Sequence, residues 1–572
     1  MPLAKNWLVS PPAESDYLRR YRGMSPALAQ ILYNRGLTEP DAAYEFLNAD
    51  DLAAGSLLAI KGKRTAIDKA LSRIRRAIKQ RELIVVYGDF DADGVTSTTL
   101  LVQALKALGA NVYPYIPHRV DEGYGVNSEA LLKLARRGVK LVITVDCGIR
   151  SAQEVEDGKS YGLDIIITDH HSVGADIPNA VAVINPKLED CAYSEDMLAG
   201  VGVAYRLAEA LFTIESGQGK LPPSAEHLLD LVAIGTVADL VPLNRLENRI
   251  LVKRGLKVIN HTFRPGLRAL INVAGLKLGQ VAAVNIGFGI GPRINAAGRL
   301  DSAMLAYDLL STDQEGKAEE LAGMLQGLNT QRQEITRATQ DRIREQLADV
   351  TSIPLIFASD RSFQPGIVGL VAGRLVEEFF RPAIVMEEGD HESRASCRSI
   401  PQFDITHALD QCATLLVRHG GHAQAAGFTV LNENVGALRE KLTHIARAAL
   451  DGQDLAPTLE IDMELNPQQV NIELAAELLK LEPTGHGNPT PVFMTRNLRV
   501  QESRTVGKDD SHLKLKLARF GDSPLDAIGF HLGEWARNMP PRVDLAYTLE
   551  INEWNGYKGA QMNVLDVRAA EK

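Results

Sequence analysis

The chain has 572 residues, of which 45% are hydrophobic and 23% charged, with four cysteines and a formal net charge of −10. That length is more than one core organises and predicts three or more domains of ordinary globular composition, while no apolar run approaches the roughly 18–20 residues of a membrane span. Cys147, Cys191, Cys397 and Cys412 form no CxxC pair, which argues against a zinc ribbon or a disulfide framework; the start of the chain lacks the apolar core of a secretory signal, so a cytoplasmic location is expected.

Residues 1–50 read as a helical extension, with Thr38 capping a short helix that carries Pro40 in its first turn and Ala42, Phe46 and Leu47 on its apolar side. An amphipathic helix from Thr65 to Gln80 follows, crowded with Lys69, Arg73, Arg75, Arg76 and Lys79, and Arg81 comes just after it. Net acidity therefore says little against a polyanionic partner, because binding follows where charge sits. Short apolar runs at Leu83–Tyr87, Val112–Ile116, Leu141–Val145 and Asp164–Thr168 then alternate with helical stretches such as Thr96–Leu108, the pattern of a parallel sheet covered on both faces. Ligands collect at the carboxyl ends of such strands, where Asp89, Asp146 and Asp169 fall.

Leu228–Val237 reads as a buried helix or strand leading to Asp239. Ile286–Arg299 reads as a glycine-rich loop with Arg293 and Arg299 embedded, and the polar, proline-free stretch from about Thr312 to Asp349 as a long connecting helix. A second α/β unit starts near Pro354 and runs to about Leu450. After Pro457, period-two alternation at Val543, Leu545, Tyr547, Leu549 and Ile551, with Asn555-Gly556 as a tight turn, predicts a small β-barrel. The expected divisions are an extension (1–50), an α/β domain (51–310), a connecting helix (311–350), a smaller α/β domain (351–455) and an OB-like barrel (456–572).

Asp89-Phe90-Asp91-Ala92-Asp93-Gly94 and Asp169-His170-His171 carry the chemistry. On an extended strand end, residues two apart project to one side, so Asp89, Asp91 and Asp93 would converge, with Gly94 letting the chain turn away. Three unpaired carboxylates would repel strongly, and divalent cations remove that penalty. Oxygen ligands with one imidazole suit Mn²⁺ or Mg²⁺. Asp146, His170 and Asp239 would complete two octahedral sites. The adjacent histidines should diverge, giving His170 to metal and His171 to phosphate or to orienting a carboxylate. Paired metals point to phosphoester or phosphoanhydride hydrolysis; neither a Gly-x-Ser-x-Gly nucleophile nor a GxxxxGK[ST] loop competes.

These residues resemble the DHH phosphoesterase superfamily, which is named for the Asp169-His170-His171 triplet. Within it the chain is similar to bacterial single-stranded-DNA-specific exonucleases. The likeness continues through Val145-Asp146-Cys147-Gly148, Thr236-Val237-Ala238-Asp239, Gly291 to Arg299 and the Gly420 to Gly427 run, which matches the second, DHHA1-type domain. Phe90 stands where related chains often carry tyrosine, and His486 where an aromatic is more usual.

The resemblance implies 5′ to 3′ degradation of single-stranded DNA to 5′-mononucleotides in recombination and repair, with two Mn²⁺ or Mg²⁺ ions. Asp91, Asp93, Asp146, His170 and Asp239 would be ligands, and Asp89 and His171 supporting catalytic residues. It also implies a single-strand-binding protein and a RecQ-type helicase as partners of a monomer. A 5′ phosphate is best held by arginine forks and hydroxyls, for which Arg119, Arg293 or Arg299, and Ser396 with Arg398 are candidates. Backbone N–H groups of Gly420-Gly421-His422 would add contacts, and Trp554 and Tyr557 would stack on bases from the barrel. The alternatives are a small-molecule phosphoesterase (pyrophosphatase or dinucleotide hydrolase) and a non-catalytic replication scaffold.

Overall fold

The computed structural model describes residues 3–21, 23–52, 55–57, 65–119, 121–123, 125–189, 191, 193, 195–216, 223–347, 353–519, 524–554 and 556–570. The chain forms two compact units, residues 44–333 with 482–489, and residues 1–43 with 334–481 and 490–572. Among the described residues no helix is long and apolar enough to cross a membrane.

The first unit is built on a five-stranded sheet, β1 (Leu83–Tyr87), β2 (Asn111–Tyr115), β3 (Leu141–Val145), β4 (Asp164–Thr168) and β5 (Ala182–Ile184), all parallel, in the order β2-β1-β3-β4-β5. Successive residues point to opposite faces, and both are covered. Ile84, Val86 and Ile143 join a core with helices Thr65–Gln80, Ala92–Ala107 and Gly200–Ser216, while Val85, Tyr87 and Val142 pack on Leu131, Leu134 and Val155. That double burial is why these strands read as unbroken apolar runs. The chain leaves β1 for one neighbour and reaches the other only with β3, so the loops after β1 and β3 flank the switch point where such sheets bind ligands.

Leu229–Ala238, apolar on every side, is a fully enclosed helix with Asp239 as its C-cap. Gly235 lets it cross helix Ala92–Ala107 closely, since a Cβ there would lie 2.4 Å from Thr96 Oγ1. The glycine-rich stretch expected as a loop is instead helical, a π turn at Ile286–Ile290 running into helix Gly291–Leu300. The segment 482–489 belongs with this unit because the fully buried Arg249 stacks on Phe46 and donates to the carbonyls of Glu482 (2.8 Å) and Pro483 (3.3 Å), while His486 O accepts from Leu243 N at 2.7 Å. His486 therefore acts here through its backbone.

In helix Pro40–Leu47, the buried side is Ala43, Phe46 and Leu47; Ala42 is exposed. The basic face of Thr65–Gln80 is largely paired: Arg73 is buried against Asp164 (2.5 Å) and Glu82 (2.6 Å), and Arg75 meets Glu215 (2.5 Å). Helix Glu315–Gln346 begins in the first unit, burying Ala318, Leu321 and Leu325 there, and ends in the second.

The second unit holds two sheets. β6 (Ile356–Asp360), β7 (Ala383–Glu387), β8 (Glu392–Arg398), β9 (Leu416–His422) and β10 (Ala425–Leu431) run in the order β9-β10-β8-β7-β6, with only β6 and β7 parallel. The other sheet closes on itself: β11 (Phe493–Val506), β12 (His512–Leu517), β13 (Leu525–Gly529), β15 (Tyr557–Ala569) and β14 (Arg542–Trp554), with β14 pairing back onto β11. This is a five-stranded barrel of the OB kind. The extension is not wholly helical: Asn6–Val9 is a strand paired with Thr458–Ile461, pinned where Trp7 Nε1 donates to Asp566 Oδ2 at 2.8 Å.

Candidate metal centre

Seven side chains from four segments meet at the switch point of the parallel sheet. Asp89, Asp91 and Asp93 follow β1, Asp146 follows β3, His170 and His171 follow β4, and Asp239 caps the enclosed helix. Their ligand atoms form three overlapping groups, Asp89/Asp91/Asp146, Asp93/His170/Asp239 and Asp146/His170/His171, each within 4.8 Å. His170 Nε2 lies 3.1 Å from Asp146 Oδ1, 3.6 Å from Asp239 Oδ2 and 3.8 Å from Asp93 Oδ2.

The three leading aspartates converge, but not along an extended strand. Asp91 is the N-cap of helix Ala92–Ala107, its Oδ1 accepting from Asp93 N (2.9 Å) and Gly94 N (3.0 Å), so Asp93 already lies in the first helical turn. Asp93 accepts from Gly200 N (2.7 Å) and Val201 N (2.9 Å) at the start of helix Gly200–Ser216, a favourable place for a carboxylate. Gly94 does not turn the chain away. It allows contact, since a Cβ there would lie 2.4 Å from Asp89 O. Asp146 holds its place with a left-handed backbone, φ 60°.

Burial raises the Asp93 carboxyl to about 7 and that of Asp239 to about 9, and neighbouring carboxylates add to the rise; Asp89 and Asp146 are also driven well up, for the same reasons. Burial also lowers His170 to about 3, so its imidazole is neutral at ordinary pH. The Leu198 backbone favours the protonated ring but does not offset burial, and the ring's Nε2 faces the acids. Asp89 Oδ1, Asp146 Oδ1 and His170 Nε2 are buried without a hydrogen-bond partner among the described residues. Buried acceptors turned toward one another fit a cation and little else, and these clusters are able to bind metal ions.

His171 has a different setting. Its Nδ1 lies 2.8 Å from Asp169 Oδ1, which also accepts from the backbone N of His170 (2.7 Å) and His171 (3.0 Å), while Asp169 Oδ2 accepts from Ile149 N (2.9 Å). Burial works against protonation of His171, but the Asp169 bond outweighs it and raises the imidazole above its usual range.

The candidate phosphate residues divide between the units. Arg119 lies at the acid cluster: its guanidinium stacks 4.6 Å above the buried Phe90 ring and feels the charge of Asp89 and Asp91. Arg293 is engaged close to its own helix, donating to Gly289 O (2.6 Å) and Gln326 Oε1 (2.8 Å), and Arg299 is half-buried in that helix's last turn. The same helix supports the acid loop. Asn295 Oδ1 accepts from Ala92 N at 2.7 Å, and a Cβ on Gly298 would lie 2.3 Å from Phe90 O.

In the second unit, Ser396 pairs with Gly427 and Gly427 with Gly420; Arg398 pairs with Ala425 and Ala425 with His422. Register partners share a face, so Ser396, Arg398, Gly420 and His422 lie on one side of the sheet and Cys397, Ala426 and Gly421 on the other. Gly420-Gly421-His422 is thus the end of strand β9. Arg398 donates to Ser396 Oγ (3.3 Å) and Cys397 O (2.8 Å). Trp554 and Tyr557 pair across the β14–β15 hairpin, and their side chains lie outside the described residues, as does Asn555.

Four contributors are missing from the residues assigned on sequence grounds. Asp169 is visible in its triplet, and Asn295 in its motif. The Gly200 and Val201 amides give no signal, lying more than a hundred positions from Asp93.

Residues 83–236 match the N-terminal domain of the DHH family, 352–448 the DHHA1 domain and 461–566 the RecJ OB domain. The chain is 39% identical over 556 residues to the single-stranded-DNA-specific exonuclease RecJ of Bacillus subtilis, covering 96% of this chain and 68% of that protein. Against the Escherichia coli RecJ it is 37% identical over 524 residues, covering 87% and 89%. Among solved structures it matches Thermus thermophilus RecJ in complex with Mn²⁺ at a TM-score of 0.83 and 31% identity, over 99% of this chain and 80% of that one. The same protein in complex with Mg²⁺ matches at a TM-score of 0.78 and 30% identity, over 99% and 79%. With all three domain types in order and near-complete coverage by relatives of this identity, the chain belongs to the RecJ family within the DHH phosphoesterase superfamily.

Proposed function

We propose that this chain is a metal-dependent, single-stranded-DNA-specific exonuclease that hydrolyses phosphodiester bonds from the 5′ end and releases 5′-mononucleotides, in DNA recombination and repair. The observation that carries the chemistry is the set of buried acceptors without hydrogen-bond partners on Asp89, Asp146 and His170, at the carboxyl ends of adjacent parallel strands.

Asp91, Asp93, Asp146, His170 and Asp239 would hold two Mn²⁺ or Mg²⁺ ions. When bound, such ions supply a hydroxide nucleophile near neutral pH and offset charge on the phosphoryl oxygens. The chain's own residues do the rest. Gly200 and Val201 amides fix Asp93, and the Asp91 cap orders the first turn that carries it. Asp169 holds His171 with Nδ1 engaged, which leaves Nε2 as the atom to meet a phosphate oxygen. Arg119 brings a charge that Asp89 and Asp91 already orient. In the second unit, Ser396, Arg398, Gly420 and His422 offer one polar face for a terminal phosphate, with Arg293, Arg299 and the barrel's Trp554 and Tyr557 as further strand contacts.

The same reading keeps the five-part division of the chain, a monomeric cytoplasmic enzyme, and a single-strand-binding protein and RecQ-type helicase as partners. Co-sedimentation of purified components tests the last.

End-labelled single-stranded and duplex DNA, incubated with Mn²⁺ or with chelator, test the central claim beside Asp91→Ala. We expect digestion of the single strand only, dependent on Mn²⁺ and lost in the variant. Turnover of pyrophosphate without attack on DNA would overturn the nuclease reading.

A further inference from the structure

Strand β5 ends at Ile184, and Asn185-Pro186-Lys187 follows at the edge of the acid cluster. The fully buried Asn185 ties this segment to the histidines: its Nδ2 donates to His171 O at 3.0 Å, and its Oδ1 accepts from Lys187 N at 2.8 Å. One side chain therefore fixes the lysine's backbone relative to His171. The Lys187 side chain is half-buried, and its ammonium makes no hydrogen bond or ion pair within 4.0 Å among the described residues.

Its surroundings say what it faces. Asp239 is pushed up by burial and by Asp93 and Asp91, and Lys187 is the cationic group that acts on it in the other direction. The same charge opposes protonation of His170. Arg119 plays the matching part for Asp89. Arg119 thus acts on Asp89, while Lys187, whose backbone is held next to His171 through Asn185, acts on Asp239 and His170.

Charge balance gives this arrangement a purpose. Asp89, Asp91, Asp93, Asp146 and Asp239 carry five negative charges, and two divalent ions leave one uncompensated. A phosphodiester and an attacking hydroxide raise the deficit to three. His171 is already balanced by Asp169, so Arg119 supplies one positive charge toward this deficit and Lys187 a second.

Resting on the reading of this centre as a phosphodiesterase, we propose that Lys187 is a catalytic residue whose ammonium contacts a non-bridging oxygen of the scissile phosphodiester, on the Asp239 and His170 side of the cluster. The contact is electrostatic and strengthens as charge builds on the phosphoryl oxygens. It should therefore appear in kcat more than in KM.

Lys187→Gln and Lys187→Arg in the full chain, with 5′-phosphorylated single-stranded DNA at saturating Mn²⁺, provide the test. Removing one such preorganised contact is expected to lower kcat about 100-fold in Lys187→Gln. KM should move less than about threefold, and Lys187→Arg should recover to within about tenfold of wild type, because it restores the charge. Mn²⁺ affinity, measured calorimetrically without DNA, should be unchanged or tighter in Lys187→Gln, since a cation has been removed from beside the ligands.

Unchanged kcat in Lys187→Gln would overturn the proposal. So would a defect that disappears at higher Mn²⁺ and accompanies weakened metal binding, because Lys187 would then serve the metal site alone. Wild-type protein inert on DNA but active on another phosphoester would overturn the nuclease reading, with the Lys187 comparison then made on that substrate by the same criteria.

Discussion

Asp169 shows how one buried carboxylate sets the geometry of a whole loop. It accepts from the backbone of both histidines, from Ile149 N across the neighbouring strand end, and meets His171 Nδ1. Burial would push its carboxyl up, but the His171 bond and charge outweigh that and hold it below its usual range, so it stays ionised. It contributes no atom to the clusters of candidate metal ligands. Asp169→Asn keeps the size but replaces an acceptor with a donor opposite groups that all donate. We expect nuclease turnover to fall about 10- to 100-fold, the usual cost of losing a residue that orients a catalytic one. Mn²⁺ binding followed in parallel separates this from loss of metal, and should be retained.

At the scale of elements, local pattern misled in two places for physical reasons. Asp-x-Asp-x-Asp alternation suits an extended strand end, and it equally suits an N-cap followed by a first helical turn; the deciding fact, that Asp93 meets the Gly200 and Val201 amides, is non-local. Glycine clusters ordinarily punctuate turns. In Ile286–Arg299, read as a loop, they lie instead in a π turn and a helix, and in Gly420-Gly421 they lie within β9, where Gly421 has φ +152° and a Cβ would strike Ala425 O at 2.4 Å. Strand, not turn, is what aligns Gly420 and His422 with Ser396 and Arg398 on one face. If that face receives a terminal phosphate, Arg398→Ala should weaken binding of a 5′-phosphorylated strand about 10- to 100-fold, the worth of a charge-assisted hydrogen bond. A 5′-hydroxyl strand should bind wild type and variant alike. Fluorescence anisotropy with the two oligonucleotides in chelator reads the difference, and equal losses for both ends would remove Arg398 from that role.

Across the whole molecule, what was legible was what local composition dictates. Three apolar runs became β1, β3 and β4 because their residues are buried on both faces, a fourth became the half-buried edge strand β2, and period-two alternation marked β14 in the barrel. Pairings between distant segments left no such trace: Asn6–Val9 beside Thr458–Ile461, or residues 482–489 held by Arg249. The metal centre is itself such a long-range assembly, and its cost to folding can be measured. Without metal, Asp93 at about 7 and Asp239 at about 9 bind protons in the folded chain that an unfolded aspartate, near 3.9, has already released. The raised His171 acts in the same sense, its stabilising contribution being lost as pH climbs through its folded value. His170, lowered to about 3, acts oppositely, but above the unfolded value near 6.5 less than half of the unfolded imidazoles still hold a proton, fewer than Asp239 holds in the folded chain over the same interval. Between pH 6.5 and 8.5 the folded state therefore holds more protons than the unfolded one, and stability must fall as pH rises. In EDTA the thermal midpoint should drop across this interval by at least about 2–4 °C. Saturating Mg²⁺ replaces protons as the partner of these carboxylates, so it should raise the midpoint, and raise it more at pH 8.5 than at 6.5. Calorimetric scans at the two pH values with and without Mg²⁺ check this. A metal-induced shift of equal size at both would mean that the carboxylates are ionised in the metal-free fold and that something other than the ion offsets their repulsion.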